Sequence, residues 1–154
     1  PRERQDAFAL RSHRLAAEAR KNGHFDDEIL PVERPDGVVV DTDECVREDT
    51  SLEKLGRLKP VFRPGGTVTA GNASPMNDGA AGLLLVSEEA LNDLGLESLG
   101  RYVAGGSAGV HPDVMGIGPV PATRKVLARA GWSVGDLAEA EFNEAFAAQA
   151  LACV

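Results

Sequence analysis

The spacing of apolar residues changes period along the chain. From residue 3 to 22, Phe8, Leu15, Ala16 and Ala19 recur at helical spacing, with Arg11, Arg14, Glu18 and Lys21 elsewhere on the helix surface. This predicts an amphipathic helix stopped at Asn22-Gly23. EILPVE and GVVVDT predict two short extended pieces around the Pro35-Asp36-Gly37 turn. Thr50-Ser51-Leu52-Glu53 fits a capping box with Thr50 at the cap, opening a short helix through Leu55. Beyond the Asn77-Asp78-Gly79 turn, AAGLLLV is a continuous apolar run of strand length. Ser87 caps a short helix ending at Gly95, and Arg101 to Ala108 predicts a second strand. Pro119 or Pro121 opens a helix that buries Ala122, Val126, Leu127 and Ala130, with Arg129 and Gly131 placed as the dipole and a left-handed stop require. Ser133 starts a turn, Leu137 to Phe142 predicts a third strand, and Ala145 to Val154 predicts an almost wholly apolar helix.

Strands alternating with helices from residue 80 onward predict an α/β layered fold. Residues 24–66 do not alternate and predict a loop-rich excursion. The expected division is a loop domain over 1–66 and a layered α/β portion over 67–154.

Composition thins the expected core. Apolar residues make up 43% of the chain but aromatics only 5%, so Ala and Gly must bring elements close together. A chain of 154 residues is the size of one domain and buries roughly 70% of its unfolded surface. The net charge of −8, mixed along the sequence, argues against a nucleic-acid footprint and against a polybasic membrane anchor. PRERQDAF is neither a signal nor a transit peptide, and the longest apolar run is short for a bilayer, so a soluble, cytoplasmic chain is expected. Cys45 and Cys153 have no CxxC or metal-ligand spacing, so no metal is expected.

Candidate chemistry is sparse. His13, His24 and His111 form no dyad with Cys or Ser and are expected on the surface or in loops. Cys153 is expected to be a small buried hydrophobe, and Cys45 lies among acids that disfavour a thiolate. Lys54, Arg57, Lys59 and Arg63 form a basic patch without an acid, interleaved with Leu55, Leu58 and Phe62. Such a patch suits a phosphate-bearing ligand with a flat base, or is a solvated helix face. Thr69 to Ser74 and Met115 to Pro119 are small-residue turns that let a backbone approach a ligand; Gly116-x-Gly118 is no dinucleotide fingerprint. Asn143-Glu144, ahead of the apolar helix, must be bonded or solvated. Asn143 is either the helix cap or a side-chain amide aimed into a site, and the pattern leaves both open.

Taken in order, RQDAFALRSHRLAAEA, FDDEILPV, LKPVFRPGGTVTAGNAS, NDGAAGLLLVSEEA, VMGIGPVPATRKVLARAG and NEAFAAQALA resemble the central part of thiolases, the acetyl-CoA C-acyltransferases. The resemblance covers essentially the whole chain, and NEAF with GNAS and MGIGPVPA makes it specific. It implies a layered α/β/α fold with a loop-rich subdomain covering coenzyme A. It implies thiolytic cleavage or Claisen condensation of 3-ketoacyl-CoA and acetyl-CoA, with coenzyme A as substrate, no covalently bound cofactor, and a homo-oligomer. By matching position, Asn143 orients an oxyanion-hole water, Ala145 and Phe146 line the acyl pocket, and Met115 stands beside the reactive end. Ser74 and Ala70 contact the pantetheine arm, Leu58 and Phe62 flank the adenine end, and Arg47 meets the phosphates. Lys54 replaces a Ser common in relatives but can still serve a phosphate, and Pro75-Met76 replaces a Gly-Leu or Gly-Ile. The nucleophilic Cys, the His of a GHP motif and the second Cys of the family would lie outside this chain, and Cys45 and Cys153 match neither cysteine. The expectation is a middle segment that supplies binding walls, ends at a cut after Val154 and is inactive alone. The alternative is a free-standing non-catalytic module that binds coenzyme A or mediates oligomerisation.

Overall fold

The structure, a computed structural model, describes residues 1–154. Its elements are α1 (Arg2–Lys21), β1 (Val32–Glu33), β2 (Val39–Val40), α2 (Leu52–Gly56), α3 (Glu88–Asp93), a 3-10 turn (Pro112–Ile117), α4 (Pro119–Ala130), a second 3-10 turn (Val134–Asp136) and α5 (Ala147–Cys153). Helix dominates, and the one sheet is the antiparallel β1–β2 ribbon, pairing Val32 with Val40 and Glu33 with Val39. No helix is long and apolar enough to cross a membrane. No group of three or more His, Cys, Asp or Glu side chains is placed to hold a metal ion.

The helix stops follow local chemistry. Asn22 caps α1 and Gly23 follows at φ 73°. Gly131 closes α4 in the left-handed conformation at φ 71°, where an L side chain would be strained. Ser87 caps α3 by accepting from the Ala90 amide at 3.1 Å. The cap of α2 is Ser51 rather than Thr50: the Ser51 hydroxyl accepts from the Lys54 amide at 3.2 Å. At α5 the cap position falls to Phe146, with no side-chain capping bond, so Asn143 is not the cap.

The three strands expected at 80–86, 101–108 and 137–142 are absent. A strand exists only with a neighbour to complete its ladder, and none lies beside these runs. Leu83, Leu84 and Leu85 are consequently exposed.

By contacts the chain gathers into two units. The first holds residues 1–75 with 142–152. Its apolar centre is Ala9, Leu10 and Leu55, formed where α1 meets α2, and Ala147 and Ala150 of α5 are also buried. The buried stripe of α1 is Gln5, Asp6, Ala9 and Leu10, whereas Leu15 is exposed. The expected Phe8–Ala19 face is therefore wrong. Hydrophobic periodicity missed the stripe because half of it is polar.

The second unit holds residues 76–141. Here α4 buries Leu127. The backbone at 105–107 is fastened to α4 by Arg129, which donates to the Gly105 carbonyl, and by Lys125 Nζ, 3.1 Å from the Ser107 carbonyl.

Candidate coenzyme-binding cleft

The first unit contains a cleft of about 280 Å³ between α1, the loop before α2, α2 itself and the 70–75 turn. His13 reaches it from α1, on the same face as Asp6 and Leu10, since residues three, four and seven apart stack on one side of a helix. The 43–50 loop is pinned to α1 through Arg20, which donates to the Asp43 carbonyl at 3.4 Å, and through two further contacts. Arg20 pairs with Glu48, and the Arg47 amide donates to His13 Nδ1 at 3.1 Å. Arg47 is thereby placed on the cleft wall.

Leu55 and Leu58 form the apolar floor, and the Ala70-Gly71 turn closes on them. A Cβ at Gly71 would stand 2.5 Å from Leu55 Cδ2 and 2.6 Å from Leu58 Cδ1, so glycine alone admits this approach without displacing the leucines. The turn is held from behind by polar groups that water does not reach: Thr69 is fully buried, and Asn72 and Asp6 are nearly so.

The charges around the cleft are unequal. Lys54 Nζ is held by Asp49, 2.7 Å from its carboxylate and 2.6 Å from its carbonyl. The hydrogen bond and charge of Lys54 hold the Asp49 carboxyl below its ordinary range. Arg57 is paired with Glu53. No carboxylate lies within ion-pairing distance of Arg47, Lys59 or Arg63. Burial, and then the neighbouring Arg47 cation, push the His13 imidazole below its ordinary value.

Four expected site residues, Arg47, Lys54, Leu58 and Ala70, line this one cleft. Ser74 and Ala145 meet through the main chain, the Ser74 amide donating to the Ala145 carbonyl at 2.9 Å beside an antiparallel bridge between Ala73 and Phe146. Phe62 and Phe146 also meet, rings edge to face with centroids 6.0 Å apart. Phe62, expected at the adenine end, thus stands against Phe146, expected in the acyl pocket. Asn143 is exposed and its side chain makes no hydrogen bond, while Glu144 beside it accepts from the Ser12 hydroxyl. Met115 belongs to the second unit and is exposed there.

Sequence reasoning missed His13, Asp6 and Asn72. The signal for the first two was their shared helical face with Leu10; Asn72 gave none beyond its place in a small-residue turn.

Comparison with known proteins decides the family. The thiolase N-terminal domain profile matches residues 1–89, and the thiolase C-terminal domain profile matches residues 96–154. The chain belongs to the thiolase family. The acetyl-CoA acetyltransferase of Shinella zoogloeoides is 51% identical over 98% of this chain and 39% of its own length. The 3-ketoacyl-CoA thiolase of Chromohalobacter salexigens is 50% identical over 97% of this chain and 40% of its own. The crystal structure of the Bacillus anthracis acetyl-CoA acetyltransferase superposes with a TM-score of 0.95 at 53% identity, covering 99% of this chain and 40% of that one. The chain thus spans about 40% of the length of these thiolases. Its fold is the part of the thiolase α/β fold that these residues span, and the small share of sheet follows from that.

Proposed function

We propose that these residues form the coenzyme A-binding wall and part of the oxyanion hole of a thiolase that interconverts 3-ketoacyl-CoA plus CoA with acyl-CoA plus acetyl-CoA. The observation that carries this reading is convergence: Arg47, Lys54, Leu58 and Ala70, scattered in sequence, line a single cleft. In it Arg47 meets the phosphates, as the cleft cation without a carboxylate partner; Lys54 serves them only on release from Asp49. Leu58 lies under the adenine end, and Ala70 and Ser74 follow the pantetheine arm. Phe62 joins Phe146 and Ala145 at the acyl end. Asn143, neither cap nor bonded, keeps its amide for a water that donates to the thioester oxygen as charge develops on it.

Coenzyme A enters as substrate, and no covalently held cofactor is required. The chain contributes walls and a polar steering group; the 154 residues alone do not turn over a ketoacyl thioester. Residues 1–66 serve as the covering and oligomerising part of a cytoplasmic homo-oligomer, and the exposed Val32, Val39 and Val40 of the ribbon suit contact between copies. Residues 67–154 belong to the layered catalytic part.

The decisive experiment replaces Asn143 by Ala in the complete protein. Turnover should fall roughly 10²-fold, as for loss of one oxyanion-hole donor, with the melting temperature unchanged. A normal rate would remove Asn143 from the chemistry.

A further inference from the structure

We infer that Asn72, backed by Asp6, is a positioning residue that sets the register between the Ala70–Ser74 wall and the Asn143–Phe146 segment. For its effect on the reaction this rests on the role proposed above for Asn143; for its effect on geometry it does not.

The Asn72 side chain is 3% exposed and uses both ends of its amide. Its Oδ1 accepts from the Thr69 amide at 2.8 Å. Its Nδ2 donates to Asp6 Oδ1 at 2.9 Å and to the Thr67 carbonyl at 3.0 Å. Its own carbonyl accepts from the Ala147 amide at 2.9 Å. That amide opens α5, a helix without a side-chain cap, so Asn72 supplies the partner that a cap would otherwise provide. Two residues on, the Ser74 amide takes the Ala145 carbonyl. These two main-chain bonds fix how Asn143 to Phe146 run against the cleft wall.

Only a carboxamide fits the demand. Aspartate would place a second carboxylate against Asp6 and leave the Thr67 carbonyl without a donor. A leucine of similar volume would orphan the Thr69 amide and remove a donor from a buried anion. Asp6, 4% exposed, is in turn held by Arg2, whose Nε lies 2.9 and 2.8 Å from its two oxygens. The same guanidinium donates to the Leu55 and Leu58 carbonyls at 2.6 and 3.1 Å. The network therefore ties α1, the leucine floor, the turn and the start of α5 together, and a buried amide whose donors and acceptor are all used holds one arrangement.

The test uses the complete protein, with Asn72→Asp, the milder Asn72→Ser in case facing carboxylates unfold it, Asn143→Ala, and the Asn72→Ser/Asn143→Ala pair. Asn72→Ser should lower kcat for acetoacetyl-CoA thiolysis about tenfold or more, within the range that a small misplacement of a catalytic group costs, with a smaller change in KM. In the Asn143→Ala background it should lower kcat no further, because it acts through Asn143; independent losses that simply multiply would overturn the inference. Hydrogen exchange at the Ser74 and Ala147 amides should quicken about tenfold or more while α4 stays protected. Unchanged exchange at those two amides would also overturn it. If Asn143→Ala alone turns over normally, the functional reading falls, and the exchange result decides the register-setting role by itself.

Discussion

The rings of Phe62 and Phe146 meet edge to face, their planes inclined at 69°. One comes from a Pro-bounded loop after α2 and the other from the position that caps α5. The contact joins the basic segment to the start of the last helix, within the unit that holds the cleft.

If Phe62 works at the acyl end, its loss should be felt by a thioester with no adenine at all. Phe62→Ala should reduce kcat/KM several-fold for both acetoacetyl-CoA and acetoacetyl-pantetheine, about 1 kcal/mol for an aromatic contact of this kind. Steady-state kinetics with the two substrates check this. A loss confined to the coenzyme A thioester would return Phe62 to the adenine.

The unequal pairing of the cations gives a second expectation. Arg47→Ala should weaken CoA binding roughly tenfold, about 1.4 kcal/mol, while Lys54→Ala should change it little because Asp49 already holds that ammonium. Asp49→Asn should tighten binding by releasing Lys54. Titration calorimetry at two salt concentrations reads all three, and the Arg47 contribution should shrink at higher salt. Equal losses for Arg47→Ala and Lys54→Ala would refute the assignment.

His13 sets a pH dependence. Its folded-state pKa lies below the ordinary value of 6.5 through burial and Arg47. Between the two values the unfolded chain holds a proton that the folded chain does not, so stability rises with pH across that window. The contribution is complete above about pH 6.5 and is lost as pH falls through the lowered folded value, when a protonated Nδ1 can no longer accept the Arg47 amide. Thermal midpoints from pH 8 down to pH 4 should fall more steeply for the parent than for His13→Gln. Parallel curves would show that His13 carries no linkage.

Much of this was legible in the residue order because it depends on near neighbours. Ser87 and Gly131 bound their helices with interactions that reach three or four residues, and the Val32–Val40 ribbon is set by its own turn. The serial motifs also named the family before any coordinate did. The runs at 80–86 and 101–108 show the limit of such reasoning: segments of strand length, but no ladder where no neighbour lies alongside.

What the sequence by itself determined was the local grammar: where helices begin and stop, the tight turns, and the ordered motifs that mark a thiolase. Tertiary structure alone decided which face of α1 is buried, that Asp6 and Asn72 meet at 2.9 Å, that Arg47 and Ala70 share a cleft, and that Phe62 stands against Phe146. The physical reason is range. Caps and turns are closed by bonds within one turn of chain, whereas a cleft or a buried polar pair exists only once distant segments have excluded water together.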